Sequence, residues 1–100
     1  MTTSIKEIDG KLVVTLSGEL DTAAAPAVET ALQPLSQCGG KDIIIECKEL
    51  EYIASSGLRL LLGVLKKAKA TGSHVVLKSV NEVVRDVLEL TGFVSLFDIE

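Results

Sequence analysis

Three consecutive isoleucines, Ile43-Ile44-Ile45, lie between two long helix-forming stretches, and that placement limits the fold more than any other feature of the chain. A β-branched run this short cannot make a helix, and it reads as a buried central strand. Val75-Val76-Leu77 repeats the pattern further on. Between the two runs, Leu58, Leu61, Leu62, Leu65 and Ala68 share one helical face, while Arg59, Lys66 and Lys69 point elsewhere, and Gly72 stops the helix. Short aliphatic strands alternating with amphipathic helices imply right-handed crossovers and a largely parallel sheet. With aromatic residues at 3% and no tryptophan, the core must come from Leu, Val, Ile and Ala, as such a sheet requires.

The flanks complete the pattern. Residues 12–16 form a strand ending at Ser17-Gly18, and residues 5–8 form a short strand before it, turned by Asp9-Gly10. This hairpin adds an antiparallel edge. Asp21 and Thr22 are suited to cap a helix over residues 23–35, in which Val28, Ala31, Leu32 and Leu35 share a face. Pro26 must fall in its first turn, and Gly39-Gly40 ends it. Residues 50–54 read as the strand-ended loop before Ser55-Ser56-Gly57, with the next helix beginning near Gly57. Asn81 caps a third helix that buries Val84, Val87, Leu88 and Thr91 and stops at Gly92. Residues 94–99 close the chain as a short strand or a turn of helix. The expectation is one α/β domain over residues 1–100, with a mixed, mostly parallel sheet of four to five strands and helices packed against it.

Several functional classes are disfavoured. A net charge of −4 argues against nucleic acid, which requires a basic stripe to displace counterions. Lys66, Lys67 and Lys69 read as a solvated helix face. No signal-peptide core opens the sequence and no stretch approaches the ~20 apolar residues of a membrane span, so a cytoplasmic protein without membrane contact is expected. Cys38 and Cys47 are nine residues apart, neither a redox pair nor a zinc knuckle, and read as reduced thiols, with Cys47 a small buried hydrophobe. The single histidine, His74, opens a strand with no nucleophile beside it. Neither a nucleophile elbow nor a glycine-rich phosphate loop occurs. Asp21, Glu49 and Glu51 have no His or Cys partner and read as solvated loop carboxylates. No enzyme activity, cofactor or metal is expected.

What remains is Ser55-Ser56-Gly57 at the head of an apolar helix. One reading is a cap, in which a serine oxygen satisfies an otherwise orphan backbone N–H. The other is a modification site, because a phosphate there meets free N–H groups and the positive end of the helix dipole. It would also add nearly two negative charges to the surface. The two readings are compatible.

Three segments carry a resemblance. Leu50-Glu51-Tyr52-Ile53-Ala54-Ser55-Ser56-Gly57-Leu58-Arg59 resembles the signature of the STAS domain, Gly18-Glu19-Leu20-Asp21 the loop after its second strand, and Leu90-Thr91-Gly92-Phe93 the stop of its last helix. They occur in order and at sensible spacing across essentially the whole chain. Free-standing members of this family are typically anti-sigma factor antagonists. The resemblance implies that the unphosphorylated protein binds an anti-sigma factor, a serine kinase of histidine-kinase-like ATPase fold, and so releases a sigma factor. Phosphorylation by that kinase would inactivate it and a PP2C-type phosphatase would restore it. By position the acceptor is Ser55, with Ser56 second, and the partner-binding residues are Asp21, Ser55, Ser56 and Gly57. The family pattern has an aspartate before the acceptor, whereas this chain has Ala54. That departure favours an alternative, a constitutive scaffold or regulatory subunit without a phospho-switch, like stressosome components or partners of lipid-transport ATPases.

Overall fold

The chain opens as a hairpin. β1 (Thr2–Ile8) and β2 (Lys11–Leu20) pair antiparallel from Thr2 opposite Ser17 to Ile8 opposite Lys11. Asp9 and Gly10 both take positive φ, 51° and 77°, the backbone that a two-residue turn between twisted strands requires. β2 then serves two further neighbours. Its first half pairs parallel with β3 (Ile43–Glu46), and beyond a shift of register between Gly18 and Glu19 its last residues pair parallel with β4 (Leu50–Ile53). β5 (Val75–Lys78) lies beside β3, and the two-residue β6 (Asp98–Ile99) closes the far edge. The order is β1-β2-β3-β5-β6, with β4 attached to β2 off that path. This computed structural model describes residues 1–37 and 39–100, the side chains of residues 36 and 37 excepted, so the expectation for Cys38 lies outside the described residues.

The sheet is the α/β arrangement expected, with six strands among the described residues where four to five were anticipated. The addition is β4. Its four residues bury Leu50 and Ile53 and expose Glu51 and Tyr52, a pattern too short to show the two-residue period of a strand. β3 and β5 each alternate buried with half-buried residues, so Ile44 and Val76 are less enclosed than a strand buried on both faces would make them.

Three helices follow their sequence signals, with shifted ends. α1 (Ala25–Leu32) is shorter than residues 23–35, because residues 22–24 form a turn and Pro34, lacking an N–H, falls in a 3-10 segment over Gln33–Gln37. α2 (Ser55–Ala70) buries Leu58, Leu61, Val64, Leu65 and Ala68. In α3 (Glu82–Leu90) Val84 and Leu88 are buried, but Thr91 is exposed and donates its hydroxyl to the Val87 carbonyl at 2.8 Å. A single cluster joins these faces to Val14, Leu16, Ile43, Ile45, Val75 and Leu77 of the sheet. Among the described residues no helix is long and apolar enough to cross a membrane.

Candidate functional site

The parallel pairing of β2 with β4 brings the ends of these strands together, and both run into helices there. Leu20 and Ile53 are the last residues of the two strands, paired with each other and fully buried. From this point the chain turns into α1 through Asp21 and Thr22, and into α2 through Ala54. The Ala54 N–H donates to the Leu20 carbonyl at 2.9 Å, which ties the start of α2 to the end of β2.

α2 begins at Ser55, two residues before the start anticipated near Gly57. Ala54 is its N-cap residue, extended at φ −90° and ψ 171°, and no side chain caps the helix. The serine-cap reading is therefore corrected, since Ser55 and Ser56 are the first two helical residues rather than the cap. The first intrahelical bond runs from the Leu58 N–H to the Ala54 carbonyl at 3.0 Å. The N–H groups of Ser55, Ser56 and Gly57 precede it, and they form the donor end of the helix. No acidic residue lies in this first turn to offset the dipole. Ser55 is exposed.

Gly57 has a steric role. A Cβ at this position would stand 2.7 Å from Cγ of Leu20 and 2.9 Å from Cγ1 of Ile53. Both neighbours are fully buried and have little room to yield. The absence of a side chain lets the first turn of α2 sit directly on the ends of β2 and β4, and this sets where Ser55 emerges.

The loop after β2 lies beside these serines. Asp21 is half-buried, and its Oδ1 accepts from the Ala24 N–H at 2.8 Å while its carbonyl accepts from the Ala25 N–H at 3.1 Å. The aspartate thus closes the turn into α1, whose N-cap position belongs to Ala24. Ser56 Oγ donates to Thr22 Oγ1 at 3.3 Å, joining residues 34 apart in the chain. Ser56 is engaged with the neighbouring loop; Ser55 faces outward. Sequence reasoning had singled out Thr22 only as a helix cap, and nothing local signals its pairing with Ser56.

Of the other candidates, only some come together. Glu51 and Asp21 line one groove together with Glu19, whereas Glu49 is not among its lining residues, and its carbonyl accepts from the Gly18 N–H at 2.9 Å. No group of three His, Cys, Asp or Glu side chains converges among the described residues. His74 is exposed, and its backbone N–H donates to Asp42 Oδ1 at 3.2 Å. Cys47 is buried, as anticipated. Burial, with a smaller contribution from the Glu46 charge, pushes its thiol up from 9.0 to about 12, which keeps it protonated and unreactive at neutral pH. Lys66, Lys67 and Lys69 are all exposed on α2.

A mixed, mostly parallel sheet with helices packed on it agrees with what comparison with known proteins finds. The family model described as "STAS domain" matches residues 2–100. BtrV of Bordetella bronchiseptica, named as a candidate anti-sigma factor antagonist, is 32% identical over 99 residues, covering 99% of this chain and 85% of the relative. The anti-sigma-B factor antagonist of Bacillus subtilis is 30% identical over 95 residues, covering 95% and 86%. The crystal structure of an anti-sigma factor antagonist from Mycobacterium paratuberculosis superposes with a TM-score of 0.83 at 32% identity, covering 98% of this chain and 83% of that one. The chain belongs to the STAS domain family, among the anti-sigma factor antagonists.

Proposed function

We propose that this protein is a cytoplasmic binding module, not an enzyme, switched by phosphorylation of Ser55. Unphosphorylated, it binds an anti-sigma factor of histidine-kinase-like ATPase fold and thereby releases a sigma factor. The anti-sigma factor phosphorylates Ser55 to end the interaction, and a PP2C-type phosphatase restores it. The observation that carries this reading is the exposed hydroxyl of Ser55 on the first turn of α2, ahead of the first intrahelical bond and with no side-chain cap competing for the N–H donors. A phosphate on Ser55 has donors and a favourable dipole at hand, so modification leaves the domain folded. At an interface built around a small hydroxyl, the same group must lose water and find room. Asp21, Ser55 and Ser56 form the surface the partner meets; Gly57, expected from the sequence to join them, is buried against Leu20 and Ile53 and acts by setting where the serines emerge. Ser56 is the lesser acceptor because its hydroxyl is held by Thr22.

The test is incubation of the purified chain with the cognate anti-sigma factor and ATP, followed by peptide mass spectrometry. Phosphate on Ser55, absent in Ser55→Ala, supports the reading. Phosphate on Ser56 alone reassigns the site.

Ala54 favours a second reading, a constitutive scaffold or regulatory subunit, because the family's acceptor-flanking carboxylate is missing. Tight binding to an anti-sigma factor or scaffold with neither serine ever modified would select it.

A further inference from the structure

The helices of this domain all pack on one face of the sheet. Val14 of β2, Ile43 and Ile45 of β3, and Val75 and Leu77 of β5 join buried residues of α1, α2 and α3 in the single core cluster. Strand alternation sends Val13, Ile44 and Val76 to the other face. They are half-buried, and they belong neither to that cluster nor to the residues packed against it. Among the described residues no helix covers this second face.

Register orders the uncovered face into three rows on β3 and β5. Ile44 stands beside Val76 in the middle row, Glu46 beside Lys78 in the next, and Asp42 beside His74 just before the strands begin. A dip of about 100 Å³ on this face is lined by Lys11, Asp42, Ile44, Val76, Lys78 and Glu100. Glu46 and Lys78 are neighbours of opposite charge, yet no ion pair joins them among the described residues. In both flanking rows the carboxylate is on the β3 side and the basic side chain on the β5 side.

That arrangement is complementary to itself. A two-fold axis along the strands, between β3 and β5, lays a second copy face to face on the first and exchanges the two strands. Glu46 then meets Lys78 of the second copy, Asp42 meets His74, and Ile44 meets Val76, each pair forming twice. On the next strands out, Thr15 stands over Glu100 and can donate its hydroxyl. Val13 falls over Asp98, which is exposed at the sheet edge and can turn to water. Acidic and basic groups are interleaved on this face, so a partner of uniform charge meets its own sign across much of it.

We infer that the uncovered face of the sheet is a homodimer interface, in which two copies pack sheet on sheet through β3 and β5. Three rows on four strands cover about 400 Å² per copy, about half of what a stable complex buries, so the dimer is a weak one. Ser55 heads a helix on the opposite face, so the dimer leaves it free and does not rest on the phosphorylation reading.

The experiment is sedimentation equilibrium of the full chain from about 10 μM to about 1 mM, with amide NMR shifts followed over the same dilution. The expected result is a rise from one chain mass towards two, with shifts concentrated in β3 and β5. Glu46→Lys and Lys78→Glu each set like charges against one another twice across the axis. Each should weaken association by about tenfold or more. Mixing the two variants should restore it, because the reversed charges then face opposite ones, and the double variant should restore it within one kind of chain. Ser55→Ala should associate as the parent does. Melting at low concentration checks that each variant is folded, and the dilution shifts test the face without any substitution. A parent that stays monomeric at about 1 mM, shifts centred on the helices or on β1, reversals that leave association unchanged, or a mixture no stronger than its components would each overturn the proposal.

Discussion

α2 and α3 both follow strands, yet their N-termini are built in opposite ways. α3 starts behind Asn81, whose Oδ1 accepts from the Val84 N–H at 2.8 Å and whose Nδ2 donates to the Leu50 carbonyl of β4 at 2.7 Å. Glu82 in its first turn adds a negative charge where the dipole is positive. α2 starts behind Ala54, has no side-chain cap and carries no acidic residue in its first turn. Its opposite end follows the usual rule, with Lys67 and Lys69 in the last turn. One helix is closed by its own sequence, and the other leaves its donor end open beside an exposed serine. The stability forgone at α2 is of the order of one cap, about 1 kcal/mol. α1 also lacks a side-chain cap at its N-cap residue Ala24, so what sets α2 apart is the exposed serine at its open donor end rather than the missing cap alone.

The largest expected effect tests what the open end is for. Ser55→Asp should melt close to the parent but bind the cognate anti-sigma factor about two to three powers of ten more weakly, a loss of about 3–4 kcal/mol. Ser55→Ala should bind as tightly as the parent and resist inactivation by ATP. Equal binding of Ser55→Asp would remove the functional side of the comparison. Next in size is Gly57→Ala, which forces a Cβ against Leu20 and Ile53 and should cost about 1–3 kcal/mol in chemical denaturation. Unchanged stability there would show that the strand ends yield easily. Asn81→Ala removes the cap and the tie to β4 together, and should cost about 1–2 kcal/mol in the same measurement. The smallest effect sharpens the contrast directly. Ala54→Asp gives α2 the cap it lacks and should stabilise the unmodified protein by about 0.5–1 kcal/mol. After phosphorylation the same aspartate competes for the donors and repels the phosphate, so this gain should shrink or reverse in the modified form.

Much of the molecule was legible along the chain, because its signals are local. The hairpin follows from two residues that tolerate positive φ, and α3 follows from Asn81 together with the spacing of Val84 and Leu88. Ser55 at the exposed head of α2 followed from an apolar stripe with serines and a glycine in front of it. β4 was not legible, since four residues cannot display a period, and its strand identity depends on pairing with the end of β2.

The sequence by itself determined which segments become the helices and the strands other than β4 and β6, and that a serine stands where α2 begins, because propensity, periodicity and capping act within a few residues. Only the tertiary structure decided that α2 starts at Ser55 and that Gly57 is required for space. It also decided that Ser56 is held by Thr22 from 34 residues away while Ser55 is left outward. These outcomes depend on how closely the ends of two strands approach a helix, a distance set by the packed core around Leu20 and Ile53.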